Sequence, residues 1–142
     1  MPAILNQSAN YALRAVLFIA RHEGAQTADM MAEKLGVPRN YLGKILHLLV
    51  RANVLTSTRG PRGGFVLLEP AEVTSLEAVI APFHNNAEPP VCLLGNKLCD
   101  HRHPCAAHER WEQMAEPFRK FFEETTVADM IETEALVYSE VT

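Results

Sequence analysis

Residues 36–51, Gly36-Val37-Pro38-Arg39-Asn40-Tyr41-Leu42-Gly43-Lys44-Ile45-Leu46-His47-Leu48-Leu49-Val50-Arg51, carry the reading of the fold. Leu42, Ile45, Leu46 and Leu49 recur at helical spacing, which predicts a helix over about residues 38–52 with one buried stripe. Arg39, Asn40, Gly43, Lys44, His47 and Arg51 lie largely on the other side and make a polar, basic face. Pro38 suits the first helical position, where its missing N–H is not needed. Gly43 lowers helix propensity by roughly 1 kcal/mol against alanine. A missing side chain on a face turned towards DNA lets a helix approach closely, and a packing concession explains it equally well.

Upstream, Thr27 is a good N-cap for a helix that stops at Gly36, with Met30, Met31 and Leu35 expected inward. An earlier helix over about 8–22, ended near Gly24, follows from Leu13, Val16, Leu17 and Ala20. A short helix, a tight turn and a second helix with a basic outer face is the pattern of a helix-turn-helix, whose second helix enters the major groove. Downstream, residues 54–58 and 65–68 are rich in β-branched and apolar residues and flank Arg59-Gly60-Pro61-Arg62-Gly63-Gly64. They read as two strands joined by a turn, the wing of a winged helix, with Arg59 and Arg62 placed to reach phosphates or the minor groove. A nucleotide-phosphate loop fits less well, because no Lys-Ser/Thr follows and no helix starts after the glycines.

The 142 residues carry a net charge of −4, which conceals a split. Residues 1–64 hold eight Lys/Arg and three Asp/Glu, a balance of +5, and residues 65–142 hold five and fourteen, a balance of −9. Such an asymmetry points towards nucleic acid for the first half, with accidental clustering on a solvated face as the alternative. The longest apolar run near the N-terminus, residues 15–20, falls far short of the ~20 residues of a membrane span, and no basic segment precedes it. A cytoplasmic protein with no membrane partner is expected.

Residues 75–83 read as a short helix capped by Ser75 and stopped by Pro82, and residues 85–104 show no sustained periodicity. All three cysteines, Cys92, Cys99 and Cys105, fall on or beside that stretch, with His101, His103 and His108. An odd count argues against a disulfide framework. Three thiolates can converge on one metal centre with His108 as a fourth ligand, since Cys105 and His108 stand at i, i+3 where a helix begins. An iron–sulfur cluster, structural zinc and unrelated free thiols stay open on spacing alone, the wide gaps fitting a cluster better than zinc. His101 and His103 read as solvated loop residues. A long helix over about 105–125 follows, with Ala107, Trp111, Met114, Phe118, Phe121 and Phe122 in one apolar stripe and a kink expected at Pro117. A small winged helix offers little surface to bury that stripe, so a second subunit is expected against it, the alternative being that it folds back on the first helix. Residues 126–131 read as a final short helical turn.

Tyr11-Ala12-Leu13-Arg14, Tyr41-Leu42-Gly43-Lys44-Ile45-Leu46, the run from Arg59 to Phe65 and the three cysteines occur in an order that resembles the Rrf family of bacterial winged-helix iron–sulfur transcription regulators, IscR- and NsrR-like. The resemblance spans about residues 5–131. It implies a homodimer on a palindromic operator in double-stranded DNA, the third helix reading bases, the wing in the minor groove, and an Fe–S cluster in each subunit as sensor. Cys92, Cys99 and Cys105 match the cluster cysteines, although the first gap holds six residues where five are common in IscR. Cys105-Ala106-Ala107-His108 followed by Trp111 resembles the pattern in which that histidine is the fourth ligand of a 2Fe–2S cluster. Asn10 stands where some NsrR-type proteins carry an aspartate that completes a 4Fe–4S cluster, so 2Fe–2S is favoured over 4Fe–4S.

The expected fold is mainly α with a small β-wing: a winged helix-turn-helix DNA-binding domain over 1–70, then a linker helix, sensor loop and long C-terminal dimerisation helix over 71–142. Arg39, Asn40, Tyr41, Lys44, His47, Arg59 and Arg62 are expected to touch DNA, and Cys92, Cys99, Cys105 and His108 to hold the cluster. Oxidation, nitric oxide or cluster loss would control operator affinity. A zinc-stabilised or cluster-free winged-helix DNA-binding protein without switching is the other reading. No phosphate loop or acid/base pair supports an enzyme.

Overall fold

Asn6 begins the first helix by accepting a hydrogen bond from the Ala9 N–H at 2.8 Å, which satisfies one donor of the opening turn. In the computed structural model, which describes residues 5–84, 102 and 104–132, this helix is α1 (Gln7–Arg21). Ala9, Ala12, Ala15 and Val16 are fully buried, and their small side chains let other elements pack close on several sides. Against α1 lie α3, α4, α6 and the second wing strand.

The second helix, α2 (Ala28–Leu35), follows its signals closely: Thr27 accepts from the Met30 N–H, and Gly36 ends it with φ +66°. Its buried face is Ala28, Met31 and Ala32, with Leu35 partly covered. Met30, expected inward, is 46% exposed. It lies about 100° around the helix from Met31, off the stripe that faces the core. After the turn, α3 (Arg39–Arg51) buries Leu42, Ile45, Leu46 and Leu49 as the spacing predicts, although Pro38 precedes the helix as N-cap instead of opening it.

Asn53, with φ +61°, turns the chain out of α3 into the wing. Strands β1 (Leu55–Thr58) and β2 (Gly64–Leu67) pair antiparallel, with Leu55 opposite Leu67 and Thr58 opposite Gly64. A third rung comes from Gln26, whose N–H donates to Phe65 O at 3.1 Å and whose carbonyl accepts from the Phe65 N–H at 2.8 Å. Gly64 is required there: its φ is +147°, and a Cβ would lie 2.5 Å from the Gln26 carbonyl oxygen. Leu68, expected in the strand, falls just outside it and is exposed.

Beyond a short 3-10 turn at Ala71–Val73 comes α4 (Leu76–Ile80), capped by Ser75. The single helix expected over 75–83 is divided: α4 ends at Ile80, and a tighter 3-10 turn, Ala81–Phe83, contains Pro82. Pro82 has no N–H for an i→i−4 bond and so removes one α-helical rung where the chain changes to the tighter turn. The long helix α5 (His108–Glu124) starts three residues later than expected, the Cys105 carbonyl accepting from the His108 N–H at 3.1 Å. The last helix, α6 (Val127–Ile131), opens with a reciprocal cap between Thr126 and Asp129. Leu76 N–H to Thr125 O at 2.9 Å and Val127 N–H to Thr74 O at 2.8 Å join the starts of α4 and α6. Leu76, Val79, Ile80, Phe122 and Val127 belong to the same core as the residues of α1 to α3.

Candidate nucleic-acid interface and metal ligands

Burial of Leu42, Ile45, Leu46 and Leu49 leaves the rest of α3 outward, and Arg39, Asn40, Lys44, His47 and Arg51 are all exposed. Leu48 joins them as an exposed apolar residue on that face. Tyr41 stands apart from the other expected DNA-contacting residues. It is half-buried, its hydroxyl is hydrogen-bonded to Ser8 Oγ, and its ring packs edge-on against Tyr11 with centroids 5.6 Å apart. Gln7 Nε2 donates to the Tyr11 hydroxyl at 3.0 Å, so the first turns of α1 grip the start of α3. The structure therefore gives Tyr41 an anchoring place. Arg39 is engaged from the other side, its Nε donating to Asp29 Oδ1 in α2.

Arg59 and Arg62 are exposed at the tip of the wing. Gly60 (φ +103°) makes the turn, and the Gly63 N–H donates to its carbonyl at 2.9 Å. Pairing with Gln26 fastens the wing to the segment that leads into α2, so wing and helix-turn-helix share one frame.

Of the expected metal ligands, Cys105 and His108 are described, and Cys92 and Cys99 lie outside the described residues, as do His101, His103 and most of the stretch 85–104. Cys105 is a free, half-buried thiol. His108 is only 5% exposed although much of the helix it opens is solvated, and its Nε2 lies 3.7 Å from Glu112 Oε2 one turn on. Among the described residues no three His, Cys, Asp or Glu side chains are grouped to hold a metal ion. A thiol and a buried imidazole on one turn are nevertheless donors of the kind a cluster or zinc takes.

Four residues of this frame escaped the sequence reading: Asn6, Ser8, Gln26 and Asp29. Asn6 carried a usable signal, an N-cap residue just ahead of the apolar period, and its side chain also donates to Phe83 O at 2.9 Å. The other three act through partners distant in sequence, which no local pattern marks.

Residues 5–133 match the profile of a family described as Rrf2, iron-dependent transcriptional regulator. A putative HTH-type transcriptional regulator of Aquifex aeolicus is 30% identical over 134 residues, covering 92% of this chain and 93% of the relative. The HTH-type transcriptional regulator IscR of Erwinia tasmaniensis is 26% identical over 135 residues, covering 94% of this chain and 81% of that one. The fold is that of two solved structures. One is CymR, the global cysteine regulator of B. subtilis (TM-score 0.77, 20% identity, 93% of this chain and 98% of that chain). The other is T. potens IscR (TM-score 0.76, 21% identity, 96% and 93%). These relatives are regulators, not enzymes, and no helix among the described residues is long and apolar enough to cross a membrane. The chain belongs to the Rrf2 family of winged-helix, DNA-binding transcriptional regulators.

Proposed function

We propose that this regulator works in the cytoplasm as a homodimer on a palindromic operator, with operator affinity set by a 2Fe–2S cluster that Cys92, Cys99, Cys105 and His108 would hold. The observation that carries the sensor reading is His108, a buried imidazole one turn from a half-buried thiol at the start of α5. Histidine is the commonest metal ligand among side chains. When bound, a cluster supplies a redox- and nitric-oxide-responsive centre. Cys105 and His108 would hold it at the start of α5, which packs on α4; α4 packs on α1, and Ser8 of α1 holds Tyr41 of α3. A displacement at the start of α5 thus has a packed route to the recognition helix.

In this reading Arg39, Asn40, Lys44 and His47 meet the major groove, Arg59 and Arg62 reach phosphates or the minor groove, and Tyr41 sets the angle of α3. The dimer is supported by α5 itself. Met114, Phe118 and Phe121 are 57%, 38% and 53% exposed on the single chain, a large apolar patch along one helix. An identical helix related by a two-fold axis covers such a patch and sets the two recognition helices at half-site spacing.

Anaerobic purification followed by visible absorption, iron and sulfide analysis tests the sensor. Absorption reaching about 500 nm with two irons and two sulfides per chain is expected for this reading. A colourless protein with one zinc per chain would overturn it in favour of a static, zinc-stabilised DNA binder.

A further inference from the structure

The reading of α3 as the recognition helix leaves a glycine within its exposed side unexplained. A Cβ at Gly43 would lie 2.9 Å from Arg39 Nη1, so the Arg39 side chain runs along the helix into the space that any other residue at 43 would fill. The same side chain is held from α2, where Asp29 Oδ1 accepts from its Nε. Two helices therefore fix one guanidinium on the outer side of α3, at its first residue.

We infer that Arg39 is the specificity-determining residue of this regulator, reading a guanine through N7 and O6 in the major groove, with Asp29 and the bare backbone of Gly43 as its positioning elements. The inference rests on α3 being the helix that reads DNA. The bond to Asp29 uses only Nε and leaves both Nη groups for a paired contact, and N7 with O6 of guanine is the base edge that matches such a fork. Holding the guanidinium in the free protein removes part of the ordering cost of a long side chain. An exposed Arg–Asp pair contributes little to folding, so stability alone is a weak reason for it. The Asp29 carboxylate also repels phosphates, which lowers affinity for every sequence alike, so the selectivity comes from the guanidinium it holds.

Selection from a duplex library with a randomised core tests this on the full chain and on Arg39→Ala, Asp29→Asn and Gly43→Ala. The parent is expected to enrich a motif with a guanine in each half-site, and Arg39→Ala, which has no donor to offer N7 or O6, to lose the preference at that base alone. Asp29→Asn and Gly43→Ala should weaken it about tenfold at the same base, the scale of one good base contact. Asp29→Asn should bind a random-sequence duplex as tightly as the parent or more tightly. Gly43→Ala should melt at a higher temperature, because alanine favours the helix and the obstructing atom is the far end of a flexible side chain. A merely structural role for these residues predicts altered melting and an unchanged motif. Retention of the guanine preference by Arg39→Ala, or its undiminished strength in Asp29→Asn or Gly43→Ala, overturns the inference while leaving α3 as the reading helix. If the parent enriches no motif, the assignment of α3 itself fails, and this inference with it.

Discussion

Tyr41 stands at the N-terminal end of the recognition helix and yet turns its hydroxyl inward to Ser8. Tyr41→Phe removes one hydrogen bond and leaves the Ser8 hydroxyl without that partner, a cost of about 0.5–1.5 kcal/mol. A lower urea midpoint with an unchanged slope is the expected result, together with weaker DNA binding. Gly64 is a sharper case. Alanine there must adopt φ +147° with its Cβ 2.5 Å from the Gln26 carbonyl oxygen. Gly64→Ala should cost about 1–3 kcal/mol by chemical denaturation, or detach the wing from Gln26. The glycines between the strands were readable as a turn, because only a few residue types tolerate such backbone. That Gly64 packs against residue 26 was not readable, since nothing in the local sequence names so distant a partner. Tyr41 shows the same boundary: it was expected to touch DNA, and only its partner in α1 shows which way the hydroxyl goes.

At the level of elements, the ends of α2 were legible from Thr27 and Gly36 and the buried face of α3 from the Leu42–Ile45–Leu46–Leu49 period, whereas Met30 was placed on the wrong side of α2. The end of α4 was harder, because Pro82 permits one further tight turn before the chain leaves the helix. Against α4 lies α5, and Glu77 of α4 feels that packing. Burial holds its carboxyl above the ordinary 4.5; the positive charge of His84 opposes the rise, and Glu123 of α5 adds to it. With the folded pKa raised, the protonated form is favoured by folding. The contribution of Glu77 is therefore fully present below its unfolded pKa and is lost as pH rises through the folded value. Glu77→Gln is expected to be more stable than the parent at pH 7, with the difference shrinking as the pH approaches 4 in parallel urea titrations. An advantage that grew towards acid would refute the assignment. The short α6 carries more than its length suggests: Val127 is fully buried, and its N–H pairs with Thr74 across the start of α4. Val127→Ala should cost about 1–3 kcal/mol, measured by chemical denaturation.

For the whole molecule, the charge asymmetry acquires a physical meaning. The +5 half contains the helix-turn-helix, β1 and the wing tip with Arg59 and Arg62, and the −9 half contains α5 and the cysteine-bearing stretch. The apolar face of α5 was legible from its spacing, and so was its excess over what one chain buries: Met114, Phe118 and Phe121 stay exposed. Phe121→Asp places a charge in the proposed dimer contact at an already exposed position. Sedimentation should then show a monomer that is still folded, with weakened operator binding; an unchanged dimer would move the interface elsewhere. The proposed fourth ligand, His108, was legible only as a spacing from Cys105, and its burial is what the fold adds. The most direct measurement titrates one operator duplex, enriched by the parent protein from a randomised library, with anaerobically reconstituted and cluster-free protein at one salt concentration. Control by the cluster predicts affinities that differ by about tenfold or more, a coupling of ordinary allosteric size. Equal affinities for the two forms would contradict it.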